Sequence, residues 1–189
     1  MPQDLSTHCI RGLFMVIWII GLSGTGKTTL ANLVVDRIRQ LKGKVVLLDG
    51  DLIRELFGND VDHSIEGRKR NAQRLSVLSK YLADQDINVV AAVLSIFPEW
   101  RRWNRENIND YSEVYVKASM ENLVKRDTKD LYAKALKGEI VNVVGVDIPF
   151  PEPDNPELVI DNNVERNEFT DFVDRIMSLD NVRKSLKEI

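Results

Sequence analysis

The chain has 189 residues, 43% hydrophobic and 29% charged, a balance that can bury one core and excludes a disordered chain. Its 26 basic and 29 acidic residues leave a net charge of −3, which excludes the electrostatic footprint of a dedicated nucleic-acid binder. The single cysteine, Cys9, cannot form an internal disulfide and fits a reducing, cytoplasmic setting, and no apolar run reaches the roughly 20 residues that a membrane span requires.

Residues 1–14 show no hydrophobic period and are expected to form a loose leader ahead of a single domain over 15–189. Met15–Ile20 (MVIWII) is a continuous apolar run, suited to a strand covered on both faces. The spacing over 28–41 predicts a helix with Leu30, Leu33, Val34 and Ile38 on one face, closed by Gly43. A second buried strand is expected at 44–48 and a long helix at 65–85, with Leu75, Leu78 and Leu82 at helical spacing. Strands follow at 88–94, 113–117 and, briefly, 158–160, and a last helix at 168–177. Between them, 126–132 reads as a short charged helical lid and 142–156 as a Pro-rich irregular stretch. Strands separated by helices predict an α/β fold: a five-stranded parallel sheet with helices on both faces and a small lid.

The run Gly21-Leu22-Ser23-Gly24-Thr25-Gly26-Lys27-Thr28 fits G-x-x-x-x-G-K-[ST], the phosphate-binding P-loop. Its glycines let backbone N–H groups close around phosphate oxygens, and the helix that follows turns its positive end to the same anion. Lys27 supplies a point charge to the outer phosphates, Thr28 can place its hydroxyl on Mg²⁺, and Thr29 follows at the loop's edge. The alternative, a mere Gly-rich turn, does not explain the preceding buried strand and following helix. The GTPase strings N-K-x-D and D-x-x-G do not occur, so a small-molecule kinase is the better class. Such an enzyme needs a second site for its acceptor.

Acceptor candidates begin with Asp49-Gly50-Asp51, which follows the second strand, where ligands of open α/β sheets gather. Asp51 could take a proton from an attacking hydroxyl or hold Mg²⁺; alternatively, either carboxylate only caps the next helix. Helical spacing groups Arg68, Asn71 and Arg74 near one face, and the guanidinium forks of the two arginines suit phosphate or sulfate oxygens. Lys69 and Arg70 beside them read as a solvated face. Ser95 ends the third strand at the ligand-bearing edge, and Arg101, Arg102 and Arg105 follow it. Trp18 is expected in the core. Trp100 and Trp103 could frame an acceptor pocket, although helix packing or a dimer contact is the plainer reading.

Taken together, these strings resemble the adenylyl-sulfate kinase family from about residue 16 to 159. They are GLSGTGKTTLA at 21–31, LDGD at 48–51 with Arg54, and the spaced Arg68, Asn71 and Arg74. Ser95 with Arg101 and Arg105, EVYVKA at 113–118, RDTKDLYAKA at 126–135 and Gly145-Val146-Asp147 continue in the same order. The resemblance implies a P-loop kinase that uses ATP and Mg²⁺, often as a homodimer, to phosphorylate a ribose 3′-hydroxyl. It implies that Asp51 and Lys27 are catalytic, with Thr28 and Asp51 toward the metal. Arg54, Arg68, Asn71 and Arg74, with Asp49 and the Ser95–Ile96 turn, would hold the nucleotide acceptor. Lys129 and Lys134 would act from the lid, Arg126 would lie against the ATP, and Asp147 would belong to a loop wrapping the nucleotide edge.

The departures concern the acceptor's base. His63 and Val143 stand where the family places two phenylalanines, Ile96-Phe97-Pro98 replaces P-Y-R, and Asp130 replaces a lid glycine. Base stacking on an aromatic ring is worth roughly 1–3 kcal/mol, so the altered pair points either to weaker adenine binding or to another base. Adenylyl sulfate is the expected acceptor; the alternative is cytidine diphosphoramidate, the acceptor of a branch that makes capsule phosphoramidates. A non-catalytic nucleotide-binding module is the remaining reading, and the intact Lys27, Thr28 and Asp51 speak against it.

Overall fold

The structure, a computed structural model, describes residues 14–127, 130–164 and 168–187. The expected leader, apart from Phe14, and Lys129 of the expected lid lie outside the described residues. In chain order the elements are β1 (Met15–Ile20), α1 (Lys27–Gln40), β2 (Val45–Asp49), α2 (Gly50–Leu56), α3 (Ile65–Asp84) and β3 (Asn88–Val93). They continue with α4 (Pro98–Asn107), β4 (Asp110–Lys117), α5 (Met120–Lys125), α6 (Leu131–Leu136), β5 (Leu158–Asp161), α7 (Thr170–Met177) and α8 (Asp180–Lys187). The strands form one five-stranded sheet in the order β2-β3-β1-β4-β5, with every pair parallel.

All of β1 is buried because it lies at the sheet's centre with helices on both sides. Alternate side chains feed separate cores. Met15, Ile17 and Ile19 pack with Leu30 and Val34 of α1, Phe172 and Ile176 of α7 and Val182 of α8. Val16, Trp18 and Ile20 pack with Ile53 of α2 and Leu75 of α3. Each large apolar side chain sequestered in this way stabilises the fold by about 1.5–3 kcal/mol. Because the strands run parallel, the carboxyl ends of β1, β2 and β3 reach the same edge, which is where the loops at 21–26, 49–51 and 95–97 converge.

Some sequence expectations need correction. The strand expected as buried at 44–48 is β2, an edge strand that is mostly half-buried, because an apolar run does not tell an edge from a centre. Leu33, expected on the inner face of α1, is 39% exposed; Ala31 and Val35 share that face instead. The last helix is not final, since α8 follows α7 and closes over β1 and β4. Helix α4 escapes a reading by hydrophobic period because its buried residues are Arg101 and Asn104, both polar.

Candidate active site

The loop at 21–26 leaves β1 through positions where only glycine fits. A Cβ on Gly21 would stand 2.5 Å from the Val116 carbonyl oxygen, while Gly24 and Gly26 adopt φ of 77° and 91°. The loop is organised around one acceptor: the Leu22 carbonyl receives Thr25 N, Thr25 Oγ1 at 2.9 Å and Lys27 Nζ at 2.7 Å. It is pinned from outside by Asn162 Nδ2, which donates to Thr25 O at 2.9 Å, and by Tyr132 of α6, whose hydroxyl donates to Ser23 O at 2.8 Å. Burial lowers the Lys27 pKa to about 8, against the opposing pull of Asp49 and Asp51. Ser23, Gly24, Gly26, Lys27, Thr28 and Thr29 line one side of a cleft of about 370 Å³, whereas Gly21, Leu22 and Thr25 shape the loop from behind.

Both carboxylates of the DGD turn also line the cleft. Asp49 caps α2, its Oδ1 accepting from Asp51 N and Leu52 N, so the capping alternative holds for this residue. Its Oδ2 meanwhile accepts from Thr28 Oγ1 at 2.8 Å, tying the end of β2 to the start of α1. Asp51 stands on the first turn of α2 with its side chain 87% exposed, paired with Arg54 Nη1 at 3.2 Å. Its carboxylate thus faces the cleft opposite Lys27 and Thr28.

Arg54, Arg68, Asn71, Ser95 and Ile96 also line the cleft. Arg54 is buried on α2, with Nη1 also on Gly50 O, and Arg68 of α3 donates to the His63 and Asn142 carbonyls at 2.8 Å each. Burial and the neighbouring Arg54 charge hold the Arg68 pKa below its usual value. Asn71 is 3% exposed; its Nδ2 donates to Gly50 O at 2.9 Å, leaving Oδ1 buried without a partner. Arg54 Nε and Trp100 Nε1 are in the same condition. Among the described residues these three buried polar atoms of the cleft wall make no hydrogen bond. Trp18, Leu75, Phe97 and Trp100 form the apolar end of the cleft. The core reading of Trp18 holds as well, since it is 2% exposed and donates Nε1 to Ser95 Oγ at 3.0 Å. Of the two tryptophans that could frame a pocket, Trp100 lines the cleft, whereas Trp103 is outside the lining and packs edge-on against Trp100, the plainer reading.

Other candidates lie elsewhere. Arg74 is turned from the cleft into a two-pronged pair with Asp60, at 2.7 and 3.0 Å, with its guanidinium over Phe57. Val143 is buried with Leu123 and Tyr132 in a small apolar cluster that includes Leu22, so it packs the lid rather than lining the cleft. His63 is exposed and not in the lining; burial, then Arg54 and Arg68, push its imidazole pKa down. Asp147 folds back on its own loop, accepting from the Asn142 and Val143 amides. Arg126 donates to the Asn162 and Val164 carbonyls behind the P-loop, and Lys134 is exposed on α6.

The family model for adenylylsulphate kinase matches residues 13–161. A cytidine diphosphoramidate kinase from Campylobacter jejuni is 38% identical over 152 residues, 80% of this chain and 88% of that one. An adenylyl-sulfate kinase from Bacillus velezensis is 39% identical over 165 residues, 84% of each chain. Among solved structures, an APS kinase from Mycobacterium tuberculosis in complex with AMPPNP and APS shares 29% identity at a TM-score of 0.79, covering 93% of this chain and 98% of that one. A Janibacter sugar kinase, at 16% identity and a TM-score of 0.62, shares the fold alone.

Proposed function

Because the chain belongs to the adenylylsulphate kinase family, a family of ATP-using phosphotransferases with a hydroxyl acceptor, we propose that it phosphorylates the ribose 3′-hydroxyl of adenylyl sulfate. One observation carries this reading: a single cleft faces Lys27 and Thr28 with Asp51, Arg54, Arg68 and Asn71. In this reading the loop amides and Lys27 grip the triphosphate, and Lys27 exchanges its bond to the Leu22 carbonyl for phosphate oxygens. Asp51 orients the sugar hydroxyl and accepts its proton as the γ-phosphoryl group transfers. Arg54 and Arg68 hold the anionic 5′ conjugate, and Asn71 Oδ1 accepts from a ribose hydroxyl. Asp49 and the Ser95–Ile96 turn shape this side; Arg126 and Asp147 would serve the ATP, and Lys129 and Lys134 the acceptor. Arg74 supports the α3 end through Asp60.

The donor set suits Mg²⁺, a hard cation that takes oxygen ligands and keeps several waters. The paired oxygens of Thr28 and Asp49, with the open Asp51 carboxylate, are such donors. Thr28 and Asp51 would hold the ion, which would neutralise phosphate charge when bound. Among the described residues no cluster of His, Cys, Asp and Glu could hold a metal without the nucleotide's help.

A second reading, phosphorylation of cytidine diphosphoramidate, is favoured by the Campylobacter relative and by His63 standing where the family places an aromatic ring. Incubation with ATP, Mg²⁺ and each acceptor, with the 3′-phosphorylated product resolved by chromatography, distinguishes them. Faster turnover of adenylyl sulfate is expected; a preference for the cytidine conjugate selects the second reading, and turnover of neither overturns both. Residues 15–189 would act as one kinase domain, paired as a homodimer in the cytoplasm, and a monomeric mass in solution would refute the pairing. No nucleic-acid or membrane partner is proposed: the net charge is −3, and no helix among the described residues is long and apolar enough to cross a membrane.

A further inference from the structure

Ser95 stands at the turn that follows β3, in the acceptor wall. It adopts a left-handed φ of 56°, which a residue with a Cβ holds only when its surroundings enforce it. Two groups enforce it. Trp18 Nε1 donates to its hydroxyl from within the sheet, and Arg101 Nη1 donates to its carbonyl at 2.6 Å from α4. The same guanidinium reaches Pro151 O at 3.2 Å and Glu152 O at 3.4 Å, so one side chain, 5% exposed, joins the turn to the Pro-rich strap. The strap's earlier part packs Val144 and Ile148 against Ile96, with Phe97 and the P-loop's Leu22 at the rim of that cluster. Arg101 itself does not line the cleft.

We propose that Arg101 is a positioning residue for the acceptor: its guanidinium fixes the Ser95 turn against the strap and so sets where Ile96 and Phe97 stand in the acceptor wall. A planar fork can serve three carbonyls at once; a lysine ammonium keeps the charge but not that geometry. This inference rests on the acceptor reading above.

The test compares Arg101→Lys and Arg101→Gln with the wild-type enzyme, using initial rates with ATP and the acceptor and hydrogen exchange on the ligand-free proteins. In Arg101→Lys the acceptor KM is expected to rise about tenfold while the ATP KM stays within about twofold, with a larger acceptor effect in Arg101→Gln. Exchange should accelerate at the amides of 95–97 and of Phe150 and Glu152, the strap residues there that carry an N–H, but not at 21–28. An unchanged acceptor KM overturns the proposal, as does an ATP KM that rises in step with it, which would mark a merely structural role. Should wild-type enzyme turn over neither acceptor, the acceptor reading fails, and exchange decides the positioning role separately. Selective acceleration at both segments supports it; a uniform change or none refutes it, and Arg101→Lys serves alone if Arg101→Gln does not fold.

Discussion

Asp49 and Asp51 are two residues apart and face different demands. Asp49 is committed to the α2 cap and Thr28, whereas Asp51 projects into the cleft beside a single guanidinium nitrogen. Asp51→Asn should therefore lower kcat by about 100- to 10,000-fold while leaving ATP affinity near wild type, measured by steady-state kinetics and titration calorimetry. A kcat near wild type would remove Asp51 from proton transfer. Lys27 yields a prediction through its pKa, which burial lowers from 10.5 to about 8. Between those values the unfolded chain binds more protons than the folded one, so folding stability rises with pH across that window, and the burial penalty is fully present below about 8. Phosphate oxygens should restore the charge, so ATP binding at about pH 8.5 should take up a fraction of a proton, seen as heats that depend on the buffer's ionisation enthalpy. Heats independent of buffer would mean that Lys27 does not meet the phosphates. Val143 and His63, linked at the level of sequence, part here. Val143→Phe overfills the cluster with Leu123 and Tyr132 and should destabilise the protein by about 1–3 kcal/mol in thermal melts, without improving adenine recognition. His63→Phe should raise the rate ratio of adenine over cytosine acceptors by about tenfold, and an unchanged ratio would show that position 63 does not read the base.

The P-loop is held by elements far from it in sequence. Asn162, just past β5 and 4% exposed, and Tyr132 on α6 both donate to its carbonyls. Asn162→Ala leaves the Thr25 carbonyl without that donor beside the left-handed Gly26, at a cost of about 1–3 kcal/mol. The ATP KM should rise several-fold with little change for the acceptor; an unchanged ATP KM would mean that the loop keeps its shape unaided. Neither anchor was legible as such in the sequence, because a lone Asn after a strand and a Tyr in a charged segment carry no period. Strands β1 and β3 were legible because burial on both faces demands largely unbroken apolar runs, whereas β4 was legible only from Glu113 onward, because it buries Ser112 and Glu113 among its apolar residues. Helix α4 was not, because it buries Arg101 and Asn104 against carbonyls and hydroxyls rather than apolar side chains against a core.

Across the whole molecule, the β4–β5 side of the sheet is locked to α4 by charge as well as by packing. Glu113, 2% exposed, meets Arg105 at 3.2 Å and the Tyr111 hydroxyl at 3.1 Å, while Arg105 also pairs with Glu157 at 2.6 Å. Glu113→Ala strands part of that network and should destabilise the fold by about 3–5 kcal/mol in denaturant titrations. A loss under about 1 kcal/mol would mean that Glu157 alone satisfies Arg105. The order of strands and helices, the phosphate loop and the DGD turn were written locally, since backbone propensity, glycine conformation and hydrophobic period act over a few neighbouring residues. Which of several arginines faces the cleft was decided only on folding. Arg54 and Arg68 line it, Arg74 is drawn away by Asp60, and Arg101 and Arg105 are absorbed by loop carbonyls and buried carboxylates. A guanidinium goes to whichever oxygen the tertiary fold brings within reach, and that distance is not encoded in the spacing of residues along the chain.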